Sequence, residues 1–143
     1  MKINYKKIFK RNLENILKEV LEIISKNGLS NNNHLYITFK TNIKGVEIPK
    51  WLKSQYSKEM TIIIQHEFWD LKVSKEKFSV ILSFNNTKAF LSIPFHSVIS
   101  FADPSANFGL KLQTANIKKI KKTIAKKNND KDNIINFSNF KKN

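Results

Sequence analysis

Three histidines, His34, His66 and His96, are the first side chains to test for chemistry, and their placement argues against it. They are widely separated and form no His-x-x-x-His pair that would put two ring nitrogens on one metal. The chain has no cysteine, which excludes zinc–thiolate sites, disulfides and thiol nucleophiles. Its three glycines, Gly28, Gly45 and Gly109, are too dispersed to build a phosphate-cradling loop or the strained elbow of a serine nucleophile. Glu67 and Asp70 flank Trp69, but carboxylates on opposite faces of a strand cannot share one substrate bond. Asp103–Pro104 reads as a turn signal. The expectation is a binding protein, with no catalytic residue, no metal and no cofactor.

Gln65 is the side chain best suited to recognition. On a strand running from Met60 to Trp69, Gln65 and Glu67 share a face with Ile63 and Trp69, while His66 and Phe68 take the other. A glutamine amide both donates to and accepts from a peptide backbone. Beside aromatic rings in a groove, it suits capture of an extended peptide. A solvated sheet face accounts for the same pattern and is the simpler reading.

The elements that must position Gln65 follow from periodicity. Residues 3–27 form one amphipathic helix, with Tyr5, Ile8, Phe9, Leu13, Ile16, Leu17, Val20, Leu21 and Ile24 in i, i+3, i+4 rhythm. Glu14–Lys18 and Glu22–Lys26 are i, i+4 pairs on the polar side, and Gly28 stands where a helix commonly ends. The stripe serves either to cover a β core or to meet a second copy of the chain. After the polar loop Ser30–Asn33 the period becomes two: Leu35, Ile37 and Phe39 point one way, Tyr36, Thr38 and Lys40 the other. Pro49 with Trp51, Leu52 and Tyr56 suggests a helical turn whose aromatics plug the edge of a barrel. The run Ile62–Ile64 is apolar on both faces and predicts a central strand. Phe78–Phe84 and Ala89–Ile93 alternate around Asn85–Asn86, which predicts a tight hairpin, and Pro94 ends the second arm. Phe108, Leu110 and Leu112 give a last short strand. The predicted class is mainly β with an N-terminal α-helix: a small Sm-like barrel or sandwich followed by a disordered C-terminal tail.

A chain of 143 residues with eleven phenylalanines is about one domain and has the material for a core. No leader-like apolar block and no membrane-length apolar run is evident, so the expected setting is the cytoplasm, without a membrane partner. The net charge of +15 invites a nucleic-acid partner. Against that, Arg11 is the only arginine, and the richness in Lys, Asn and Ile extends along the whole chain as compositional drift does. Acidic partners of either kind are attracted at low salt. From Thr114 the composition collapses to Lys, Asn, Asp and Ile: Ile117, Ile120 and Ile124 suggest a brief basic helix, and residues 126–133 can bury nothing. Ile134, Ile135, Phe137 and Phe140 then restore apolar anchors, the pattern of a short binding motif.

Several segments carry a family resemblance: His34–Thr41 (HLYITFKT), Met60–His66 (MTIIIQH), Phe68–Leu71 (FWDL), Phe78–Val80 (FSV) and Leu91–Phe95 (LSIPF). Phe101, Asp103-Pro104-Ser105 and Phe108 extend the series. In order and spacing, over about residues 34–113, the chain closely resembles stringent starvation protein B in its alphaproteobacterial branch. The resemblance implies a homodimeric adaptor with an N-terminal helix and an Sm-like barrel. Such an adaptor binds ssrA-tagged proteins and delivers them to ClpX, the ATPase of the ClpXP protease. It further implies that Gln65 lies in the peptide groove, with His66, Phe39 and Phe101 as neighbours, and that no cofactor is involved. The end of the chain, Ile134-Ile135-Asn136-Phe137-Ser138-Asn139-Phe140-Lys141-Lys142, resembles the family's ClpX-docking motif, with Ile134, Ile135, Phe137, Phe140 and Lys141 at matching places. Phe137 replaces the usual Leu and Ser138 the usual Asp, and Ala102 stands where the family often has an aromatic. The implied organisation is a dimerisation helix at 1–28, a peptide-binding domain at 34–113, a basic linker at 114–133 and a docking motif at 134–143. A flexible linker of that length spans roughly 25 Å. The competing class is an Sm-like RNA-binding protein.

Overall fold

The computed structural model describes residues 1–30 and 32–111. The predicted strand residue Leu112, the basic stretch 117–127 and the docking residues of 134–142 lie outside the described residues.

Helix α1, Tyr5–Asn27, begins at Asn4, whose side-chain oxygen accepts from the Lys7 N–H at 3.0 Å. It ends at Gly28, φ 78°, whose N–H closes on the Ile24 carbonyl at 2.7 Å. Leu13, Leu17, Leu21 and Ile24 are buried, so one stripe of α1 covers the β core. Phe9, Ile16 and Ile23, spaced by sevens, follow a different line along the helix, where Ile16 and Ile23 are 39% and 53% exposed. Glu14 pairs with Lys10 at 2.7 Å rather than with Lys18, and the Lys10 ammonium also donates to the His96 carbonyl at 2.8 Å. The expected Glu14–Lys18 pair is therefore replaced by a clamp that fastens α1 to the turn after β5.

Seven strands follow in two antiparallel sheets: β1 Leu35–Lys40, β2 Glu59–Ile64, β3 Trp69–Val73, β4 Lys77–Phe84, β5 Thr87–Pro94, β6 Val98–Asp103 and β7 Phe108–Lys111. The first sheet has the order β2-β1-β6-β7 and the second β3-β4-β5. The architecture is mainly β with an N-terminal helix, as expected, but the two sheets do not close into a barrel. Both feed one apolar core with α1: Ile37, Phe39, Ile62 and Phe101 from the first, Phe78, Val80, Leu91 and Ile93 from the second. The Asn85–Asn86 hairpin is present, both residues at positive φ (53° and 68°), the type I′ pattern that matches strand twist.

Three strand assignments need correction. The segment from Met60 to Trp69 is not one strand: β2 stops at Ile64, Gln65–Phe68 form a bend, and β3 starts at Trp69 in the other sheet. Nor is β2 central. It is an edge strand with alternating burial, Ile63 facing outward at 38% exposure. Strand β6 has no simple alternation to betray it. Its pairing with β1 slips between Thr38 and Phe39, so that Val98 and Phe101, three apart, both turn inward. The short helix α2, Lys50–Gln55, is where Pro49 places it, but its plug is Leu52, 1% exposed; Trp51 and Tyr56 stay 42% and 41% exposed.

A second irregularity lies between Trp69 and Lys72, where Asp70 takes φ 50°. Left-handed backbone costs an L-residue roughly 1–2 kcal/mol, less for Asp, and nothing for glycine. Asp70→Gly should therefore hold or raise stability in urea unfolding, whereas Asp70→Val should lower it by about 1–2 kcal/mol. Equal losses in both variants would show that Asp70 contributes a side-chain contact instead of a tolerated conformation.

Candidate functional site

The bend Gln65–Phe68 is where the chain passes from one sheet to the other, and it holds two of the candidate site residues, Gln65 and His66. Ile64, the last inward residue of β2, is fully buried, and Phe68 packs half-buried against the core. Between these two anchors Gln65 is half-buried and His66 and Glu67 are exposed. Among the described residues the Gln65 amide has no hydrogen-bond partner, so its donors and acceptor remain available to a ligand. Among the described residues no strand pairs with the outer edge of β2, which leaves there a row of backbone groups of the kind an extended chain can pair.

The other predicted neighbours of Gln65 are not surface residues. Phe39 is 0% exposed, flanked in the ladders by Met60 and Val98, and Phe101 is 2% exposed, paired with Ile37 and Leu110. They form the underside of the first sheet and can shape a groove only from beneath. Phe101 also touches Phe108, ring centroids 5.8 Å apart, and Phe108 reaches the surface at 38% exposure. The structure thus brings Gln65 and His66 together in the bend and sets Phe39 and Phe101 in the core.

Two sheet faces flank the bend. On the first sheet, Ile63, Tyr36 and Ala102 form an outward row across three strands, next to a hydroxyl row of Thr61, Thr38 and Ser100. The Thr38 and Thr61 hydroxyls are hydrogen-bonded at 2.7 Å. On the second sheet, Trp69, Ile81 and Phe90 line up across β3, β4 and β5, with Phe90 52% exposed. The Lys88 ammonium caps the Trp69 ring 4.1 Å from its centroid. This second row was not singled out in the sequence. Its signal was present in β4, where Ser79, Ile81 and Ser83 share the outward parity and only Ile81 is apolar.

The turn at Asp103 fixes the opposite side. Asn33 donates to Asp103 Oδ2 at 2.7 Å, while Asp103 Oδ1 accepts from the Ser105 N–H and hydroxyl at 3.1 and 2.6 Å. That cluster ties the loop after α1 to the end of β6, beside the Tyr36–Ala102 pair. His34 approaches the Asn32 carbonyl at 3.3 Å, which is a local contact. Among the described residues no three His, Asp or Glu side chains converge as a metal site would require. No helix among them is long and apolar enough to cross a membrane.

The arrangement can bind an extended peptide: an unspent amide in a bend, an open strand edge beside it, and an apolar sheet row leading away. No curated protein matches the chain. The sequence profile of the family described as stringent starvation protein B matches residues 7–141, which includes α1 from Lys7 onward, every described strand and the segment 134–140.

Proposed function

The chain belongs to the stringent starvation protein B family, and from that premise we propose that it captures ssrA-tagged proteins and tethers them to the ClpX component of ClpXP. The family is one of proteolytic adaptors, not of enzymes. The observation that carries the finer reading is the half-buried Gln65 amide, unpartnered among the described residues, next to the open edge of β2. A peptide backbone supplies both the donor and the acceptor that this amide lacks. The groove runs from Gln65 and His66 toward the Trp69–Ile81–Phe90 row, where apolar side chains of the tag find an apolar surface.

The adaptor works as a cytoplasmic homodimer joined through α1. Phe9, Ile16 and Ile23 repeat at seven residues on a line distinct from the core stripe, the spacing of a helix-to-helix seam. Residues 134–143 dock ClpX, with Ile134, Ile135, Phe137 and Phe140 as apolar anchors and Lys141 beyond them. Separation of the groove from the docking segment lets one chain hold substrate and protease at once. RNA binding, which the charge of +15 would favour at low salt, is the competing outcome in the same titrations.

Three measurements test this reading. Gln65→Ala should weaken binding of a labelled ssrA-type peptide by about 1–3 kcal/mol without lowering the melting temperature. Unchanged affinity would remove Gln65 from the groove. Deleting residues 134–143 should leave peptide affinity intact and abolish accelerated ClpXP degradation of a tagged substrate; a truncated protein that still accelerates it would refute the tether. In sedimentation at tens of micromolar, the wild type should run as a dimer and an Ile16→Glu/Ile23→Glu variant as a folded monomer. A monomeric wild type would overturn the α1 seam.

A further inference from the structure

The outer face of the three-stranded sheet carries more than an apolar row. Close to it lies a depression of about 200 Å3 lined by Lys72, Val73, Ser74, Lys77 and Ser79. Lys72 stands opposite Ser79 in the β3–β4 ladder, and Lys77 opens β4. No acidic side chain lines the depression, and the nearby Asp70 and Glu76 are solvent-exposed. Among the described residues the only ion pair is Lys10–Glu14, so neither Lys72 nor Lys77 is neutralised by a carboxylate there. The Ser74 hydroxyl is spent on the Lys77 carbonyl at 3.0 Å, which leaves two ammonium groups and the Ser79 hydroxyl around one hollow as a receptor for a carboxylate.

The hollow and the apolar row are in register. Ser79 and Ile81 are two residues apart on one strand and face the same way. That step is roughly 7 Å, the same repeat that separates alternate side chains in any extended peptide. We propose that Lys72 and Lys77 form an acid-accepting subsite, which takes the carboxylate of an Asp or Glu two positions from an apolar residue seated on Ile81 and Phe90. This rests on the reading of the sheet face as part of the peptide groove and adds to it a preference for acidic substrate segments. A single-stranded nucleic acid is the poorer occupant. Stacking of successive bases needs a series of free rings, and here Lys88 covers Trp69, leaving Phe90 as the open one in the row.

Three fluorescein-labelled peptides test the subsite on the full chain at low salt: Gly-Ser-Asp-Ser-Phe-Ser-Gly, the same peptide with Asn for Asp, and an isomer with Asp directly beside Phe. The Asp-x-Phe peptide should bind roughly fivefold tighter than the other two. The double variant Lys72→Gln/Lys77→Gln should erase that difference while keeping the wild-type melting temperature and the affinity for the Asn peptide. Phe90→Ser should weaken all three peptides. If the wild type binds the Asp and Asn peptides equally, or the lysine variant still discriminates, the subsite is refuted and the groove stands. If no peptide binds while oligouridine of equal length does, both the subsite and the peptide reading of this face are refuted.

Discussion

The proposed recognition site depends on four residues, Gln65–Phe68, in which the chain leaves one sheet and enters the other. Ile64 closes the inward set of β2, and the next residues packed on the core are Phe68, Leu71 and Val73. Between them the backbone runs outside any strand ladder, so its polar groups must stay near water or find a ligand. Gln65 sits at the start of this passage, held by the buried Ile64 before it and the packed Phe68 beyond it. An amide on a long exposed loop would lose conformational freedom on binding. One pinned within four residues has already lost most of it. Among the described residues β2 is also an edge strand of the first sheet, beside the amide.

Helix α1 stabilises this arrangement from outside. Its buried leucines join the core shared by both sheets, and it packs against β3, the strand that the bend feeds. Lys10 adds a second attachment by reaching from α1 to the His96 carbonyl in the turn before β6. A helix that only covered the core would need one apolar stripe. Ile16 and Ile23, seven residues apart and exposed, lie off that stripe, whereas Phe9 packs against the core.

The legible parts of the sequence were those governed by local rules. Alternation in Leu35–Lys40 and the Asn85–Asn86 pair gave strands and a hairpin that the structure contains, and Gly28 marked the end of α1. The illegible parts were tertiary decisions. The slip at Thr38/Phe39 destroys the period of β6, and the bend at Gln65 follows three isoleucines with nothing in local propensity to stop the strand. Ile62–Ile64 read as two-sided burial, yet Ile63 faces outward on an edge, because β-branched residues favour strands whichever side they face. At the candidate site, Gln65 was singled out from its chemistry, and the structure places it half-buried in the bend. The burial of Phe39 and Phe101 was legible as well, since both share parity or spacing with core residues, but a groove and a core draw on the same aromatic side chains. The Trp69–Ile81–Phe90 row showed in the sequence only as the outward apolar Ile81 of β4, and its alignment across three strands became visible with the register.

The groove offers no enclosed cavity to its ligand: a bend, an open edge, and a sheet row with Phe90 half in water. Such a surface gives modest affinity, because solvent competes at every hydrogen bond and screens every lysine. Modest affinity is what a delivery step needs. The substrate must be surrendered to the protease, so a groove that bound it as tightly as an inhibitor would stall the transfer. On the proposed reading, tethering supplies what such a groove lacks in strength, since it holds a cargo at an effective concentration on the order of millimolar. The cations at this face are lysines, mobile point charges that attract acidic segments without the bidentate grip of arginine. Attraction at a distance with easy release follows from residue type alone, and it suits the proposed reversible handling of peptides by a chain with a single arginine and a net charge of +15.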